Sequence, residues 1–416
     1  MNDSATRQQV RIKIRPAQKI IRHQPPFVKR KTAICLLAAI CLFAAASVWW
    51  AGRPRRTETG APAGKASTRE AQNSAAPEGT PNAPRKETIV SISAQVGDIL
   101  TRLKAGTDPA ASRSLLAELR GLLDSLPRDV ASREVRALLE SHKDAPTLLD
   151  VTVKEGGVLG DASSFRVFLL DYLGQNDRAA AALVSREILS APTSPDEWAV
   201  SLRNVAWADD SQDTMEYLRA KAREMISNTA WRKNPSAGFL EAFDVIVHAR
   251  GFDLAPQLTE LMRDHDDRTL AHAAYLTLDR LTIADAAVAL APLAAQPELM
   301  EGREQTRANF FARLDVGEAS QKALLERYLL EPRRTALELQ TFAGIYPNAN
   351  YMISNNLLTH TATPTREELA ARDSVALQVV EGWLTDPRFT ALQPQLTTMR
   401  NRLRTFVRQA AAPPAR

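Results

Sequence analysis

The stretch "DPAASRSLLAELRGLLDSLP", residues 108–127, sets Leu115, Leu116, Leu119, Leu122, Leu123 and Leu126 at the spacing of a single helix face. Asp108 supplies an N-cap, Pro109 suits the first helical position, and Pro127 stops the run. The same grammar recurs down the chain. Ser194 and Pro195 stand ahead of Trp198 and Val205, Pro235 ahead of Phe239, Phe243 and Val247, and Pro332 ahead of Leu337, Leu339 and Phe342, while Arg366 begins a run through Val379, Val380 and Trp383. Strand alternation is nearly absent. "LLDVTVKEGG", around Val151 and Val153, is the only short candidate, and it reads equally as a helix end and turn. From about Thr88 onward the pattern therefore predicts an all-α chain of about fifteen helices joined by short loops.

One hydrophobic run differs in kind. Residues 32–52 contain no Asp, Glu, Lys or Arg, and at about 1.5 Å per residue a helix of that length matches the roughly 30 Å of a hydrocarbon core. Trp49 and Trp50 sit at its far end, where amphipathic rings favour the headgroup layer. Nine Lys and Arg precede the run and only Arg53, Arg55 and Arg56 closely follow it, which predicts a cytoplasmic N-terminus and an exported C-terminal part. In a bacterium, which the Ala- and Arg-rich composition suits, that means an inner-membrane anchor and a periplasmic domain. Ala44 and Ala46 before Ser47 offer a small-residue cleavage site, but the basic region before it is far longer than a secretory signal carries, so an uncleaved anchor is expected.

Charge divides at the same place. Residues 1–31 carry a net +8 and Arg53, Arg55 and Arg56 three more, against a chain total of +5, so residues 57–416 carry about −6. That argues against a nucleic-acid-binding main domain, which needs a concentrated positive face. The basic tail instead suits anionic lipid, at about 1 kcal/mol per Lys or Arg. Cys35 and Cys41 both lie within the hydrophobic run, so no disulfide framework or Cys-ligated metal is available beyond it. Residues 53–87, with five prolines and hardly any large apolar residue, cannot bury enough surface to fold and read as a linker. The organisation expected is a basic tail (1–31), a transmembrane helix (32–52), a disordered linker (53–87), a helical repeat-like domain (88–410) and a short disordered tail (411–416).

Two stretches suggest stacked helix pairs. "LTELMRDHDDRTLAHAAYLTLDRL", residues 258–281, resembles a unit of the HEAT repeat family: Asp264 and Asp267 at the turn, Ala273 and Ala274 for close helix approach, Leu278 and Leu281 towards the next unit. "FLLDYLGQNDRAAAALVSREIL", residues 168–189, is similar to the corner of a tetratricopeptide repeat, with Gly174 at the turn and Ala179 behind it, although the pattern does not return 34 residues later. The resemblance covers a small part of the chain. It implies an irregular α-solenoid, closer to HEAT than to tetratricopeptide, whose concave face suits a protein or peptide partner. The apolar stripe Leu396, Met399, Leu403, Phe406 and Val407, flanked by Arg400, Arg402, Arg404 and Arg408, is then the terminal capping helix, the alternative being a helix lying on lipid.

Catalytic signatures are lacking: the sequence holds no Gly-rich phosphate loop, HExxH, nucleophile elbow or CxxC. His248, His265, Asp266 and Asp285 could together hold a divalent metal in the manner of HD phosphohydrolases, against the simpler reading that Asp264 to Asp267 form an acidic helix-helix turn. "YPNANYMISNNLLTHTATPT", from Tyr346, breaks the helical pattern and offers Tyr346, Asn348, Asn350 and Tyr351 as a polar contact surface. A glycan-binding reading finds little support, because Trp198, Trp207, Trp231 and Trp383 are dispersed and read as core residues. The expectation is a non-catalytic scaffold without cofactor, with a metal-dependent phosphohydrolase or a cell-wall-binding domain as alternatives.

Overall fold

A computed structural model describes residues 86–106, 108–263, 268–360 and 362–411, with side chains from residue 93 onward. The basic tail, the hydrophobic run 32–52, the linker up to residue 85, and His265 with Asp266 lie outside the described residues. Among the described residues no helix is long and apolar enough to cross a membrane.

The described chain is mainly helical. The helices are α1 (Lys86–Lys104), α2 (Pro109–Asp124), α3 (Arg128–Glu140), α4 (Phe165–Asn176), α5 (Arg178–Ile188) and α6 (Pro195–Ala208). Then come α7 (Gln212–Ser227), α8 (Thr229–Lys233), α9 (Ala237–Glu241), α10 (Asp244–His248), α11 (Ala255–Met262) and α12 (Arg268–Ala284). The last six are α13 (Ala286–Ala295), α14 (Glu304–Phe311), α15 (Ala319–Leu330), α16 (Ala336–Ile345), α17 (Arg366–Trp383) and α18 (Gln393–Ala411). Between α3 and α4 the strand candidate is realised as a two-stranded antiparallel hairpin, β1 (Thr152–Val153) and β2 (Leu159–Asp161).

The starts follow the punctuation. Asp108 accepts the Ala111 N–H at 2.8 Å, the Ser194 hydroxyl caps α6, and Thr365 with Glu368 forms a capping box on α17. Such caps contribute about 1 kcal/mol each by satisfying N–H groups that have no intrahelical partner. Elsewhere the punctuation misleads by a few residues. The helix expected from Pro235 starts after Ser236, whose hydroxyl caps α9, and breaks at Ala242 and Phe243 into two short pieces. The one expected from Pro332 starts after Thr335 for the same reason, a side-chain acceptor being a stronger start than a proline one or three residues earlier. Gly174 lies inside α4 and not at the turn, which belongs to Asp177 as the cap of α5.

Each helix packs chiefly on partners within three helices of it in the chain: α5 on α6, α4 on α6, α11 on α12, α14 on α16, α17 on α18. One continuous apolar core runs from Val96 to Leu403. Leu396, Met399 and Leu403 of α18 are fully buried against it, whereas Phe406 and Val407, at the far end of the same stripe, are half-buried.

At the centre, α4 is buried from Phe165 to Gly174 and carries charges with it. Arg166 forks onto Glu197 at 2.9 and 3.0 Å, and Arg203 meets Asp171 at 2.7 Å with both side chains fully covered. Arg203 also donates to the Gly157 carbonyl at 2.8 Å, and Asn204 to that of Leu170 at 3.0 Å. Gly174 permits this approach: a Cβ there would fall 2.2 Å from Asn204 Oδ1. Charges taken out of water need such matching, because a lone one costs several kcal/mol.

Candidate functional site

Residues 346–365, between α16 and α17, form the longest connection after the first helices, and they are strapped across elements far apart in sequence. Tyr346 is buried, stacked on Phe342 with centroids 5.2 Å apart, and burial pushes its hydroxyl pKa up. Asn348 is also buried, donating its N–H to the Ala312 carbonyl at 2.8 Å and accepting from the Asn350 N–H at 3.0 Å. Further on, Leu357 is buried with its carbonyl against Gly157, where a Cβ would come within 2.1 Å of that oxygen. Gly157 has φ +79°, so its place demands glycine twice over.

Asp244 closes the strap. Its carboxylate accepts the Leu358 N–H at 2.7 Å, the Thr359 N–H at 2.9 Å and the Thr359 hydroxyl, and it pairs with Arg280 at 2.7 Å. Arg280 also donates to the Thr359 hydroxyl. A loop has no ladder to satisfy its backbone, so a buried carboxylate takes that role here.

Two cavities flank the start of the strap, and Arg372 of α17 lines both. The first, of about 500 Å³, is polar, bounded by Asp285, Arg313, Asp315, Asn348 and Tyr351. Arg313 forks onto Asp279 at 2.5 and 2.8 Å, donates to the Asn350 carbonyl at 2.8 Å, and lies 5.8 Å from the Tyr351 ring. The second, of about 460 Å³, lies between the strap, α17 and α18, with Pro347, Asn350, Leu369, Asp373, Arg402 and Phe406 around it. Here polar atoms are left over. Arg372 Nε, Arg402 Nε and Asp373 Oδ1 are buried without a hydrogen-bond partner among the described residues. Burial raises the pKa of Asp373 above the usual carboxylate range, against the opposing pull of Arg372 and Arg402. Unmatched N–H groups beside an unmatched carboxylate oxygen complement a group carrying both C=O and N–H, such as a peptide backbone.

The residues singled out from the sequence divide. Tyr346 and Asn348 are buried and fix the strap, whereas Asn350 is exposed and Tyr351 half-buried at the cavity mouths. Met352 and Ile353, next along, are 52% and 78% exposed, and sequence reading passed over both. Arg372 and Asp373 carried no signal, while Arg402 belongs to a basic stripe legible on α18. For the metal reading, His265 and Asp266 lie outside the described residues. His248 ends α10 half-buried, its Nε2 without a partner among the described residues and its pKa lowered by burial against the nearby Asp244 and Asp210. Asp285 is engaged, capping α13 through the Val288 N–H and facing Arg250 at 3.8 Å. Among the described residues no three His, Cys, Asp or Glu side chains are grouped to hold a metal ion.

Comparisons with protein families, with curated proteins and with solved structures return no match to this chain.

Proposed function

We propose that the chain is a non-catalytic, membrane-tethered α-helical scaffold that binds a protein or peptide partner in the bacterial periplasm. The hydrophobic run 32–52 is its anchor, the N-terminus is cytoplasmic, and the basic tail rests on anionic lipid. The helical part is an irregular α-solenoid of stacked pairs, closer to HEAT repeats than to tetratricopeptides. Packing of each helix on near neighbours in the chain supports that architecture.

The observation that carries the binding role is the cavity beside the strap, whose wall includes Arg372, Asp373 and Arg402, each with a buried polar atom unmatched among the described residues, with Met352 and Ile353 exposed two and three residues beyond Asn350 along the strap. An extended peptide suits the accessible parts of these half-buried side chains: its carbonyls accept from the Arg372 and Arg402 guanidinium groups, and its N–H donates to the Asp373 carboxylate. Apolar side chains of the partner then cover Met352 and Ile353.

The test places a photoreactive amino acid at Ile353, and separately at Leu183, which is 62% exposed on α5, in the full chain in its native membrane. One discrete adduct at position 353, absent at 183 and lost in the Arg372→Gln/Arg402→Gln double variant, supports the reading. Adducts of equal yield at both positions, or none lost in the variant, refute it. Protease accessibility of the C-terminal part from the periplasmic side alone tests the topology, and a mature chain beginning near Ser47 would make the anchor a signal instead.

A further inference from the structure

A third cavity, of about 380 Å³, lies between α2, the hairpin and α4, away from the strap. Its size falls within the range that holds small ligands. The charge on its wall is unbalanced. Arg113 forks onto Asp161 at 2.8 and 3.0 Å, so those two cancel. Asp171, at the floor, is 1% exposed and fully engaged: Oδ1 accepts from Arg203 at 2.7 Å and from the Leu159 N–H at 3.1 Å, and Oδ2 from Gln175 at 2.6 Å.

Arg120 reaches Asp171 only at 3.8 Å, and its guanidinium lies instead over the Phe168 and Tyr172 rings, 5.2 and 5.6 Å from their centroids. Asp124, one turn along, is occupied by the Tyr172 hydroxyl at 2.9 Å. Lys154 lines the cavity from the hairpin, acts on Asp161 only through space, and makes no ion pair with a described residue. Two cations therefore border one cavity beside acids that other groups already hold, Asp171 by Arg203 and Gln175 and Asp161 by Arg113, next to an apolar wall of Leu116, Val158 and Phe168.

From this geometry we infer that the cavity binds a small carboxylate with an aliphatic or aromatic body. The acid group sits between Arg120 and Lys154, and the body lies against Leu116, Val158 and Phe168. A bare inorganic anion satisfies the charges but leaves the apolar wall in water, so it binds more weakly. Gly160 is a positioning residue: a Cβ there would come 2.6 Å from Thr152 Oγ1 and 3.2 Å from Lys154 Cε, so glycine leaves room for the lysine stem.

The experiment titrates the full chain in lipid nanodiscs with benzoate, benzamide and inorganic phosphate by calorimetry, empty nanodiscs serving as the blank. Benzoate binds saturably, and benzamide and phosphate bind at least about tenfold more weakly, as expected when one charge-assisted contact or the apolar contact is lost. The Arg120→Gln/Lys154→Gln double variant loses benzoate binding while keeping its thermal melt. Lys154→Gln alone, on the exposed hairpin, weakens binding several-fold, as does Gly160→Ala with both cations present. Absence of saturation by benzoate, phosphate binding as tight as benzoate, or undiminished binding by the charge variants overturns the inference.

Discussion

Replacing Asp244 by Asn keeps the size of the side chain but removes its charge and turns one acceptor into a donor. The carboxylate is 4% exposed and serves two strap N–H groups, one strap hydroxyl and Arg280, whose side chain is 16% exposed. Removing one partner of a buried ion pair costs about 3–5 kcal/mol, and hydrogen bonds to a charged acceptor about 1.5–3 kcal/mol each. These do not add, since the amide oxygen of Asp244→Asn can still accept a bond and a released strap regains water, so about 3 kcal/mol of strap docking is the expected loss. At about 1.4 kcal/mol per decade, the strap opens about a hundredfold more often. Hydrogen exchange of the full chain reads this directly. Amides of residues 357–359 lose about two orders of magnitude of protection while those of α2, more than 200 residues earlier, are unchanged. Protection in the strap within about threefold of the parent, or equal loss in α2, would refute the role given to Asp244.

Gly157→Ala sets a Cβ against the Leu357 carbonyl in a left-handed backbone, so it destabilises by at least about 2 kcal/mol in urea unfolding, and an unchanged midpoint refutes the contact. Arg203→Met strands the buried Asp171 and costs about 3–5 kcal/mol, whereas Arg203→Met with Asp171→Leu recovers part of the loss in the same assay; a double variant no better than the single one contradicts the pairing. Because burial holds the His248 pKa below its ordinary value near 6.5, the unfolded chain binds more protons there, and this contribution to stability is complete above about pH 6.5 and declines as pH falls below it. Unfolding of His248→Gln compared with the parent between pH 7.5 and about pH 5 reads that slope, and parallel curves refute it. Metal analysis of the purified chain finds no stoichiometric metal; bound metal that disappears in His265→Ala would replace the scaffold by the hydrolase reading.

Helices were legible wherever a capping side chain and an apolar period coincide, as at Asp108, Ser194 and Thr365. Proline alone was a poorer guide, because at Pro235 and Pro332 the capping hydroxyl one to three residues later decided the start. The buried ion pairs were illegible: Arg166, Asp171, Glu197 and Arg203 read as surface charges in one dimension, and only the packing of α4 on α6 brings them together. The break at 346–365 was visible from its asparagines and prolines. What holds it was not, since Asp244 lies more than 100 residues before Leu358 and nothing local marks it. The unmatched atoms of Arg372, Asp373 and Arg402 depend likewise on two helices meeting, which no periodicity reveals.

The contact between Gly157 and Leu357 also sets a clock on biosynthesis. About 200 residues separate the two, and at roughly 5–20 residues per second the ribosome needs about 10 to 40 s to deliver the second after the first. Through that interval the hairpin has emerged without its lid, and the Leu357 carbonyl that will cover Gly157 has yet to be polymerised.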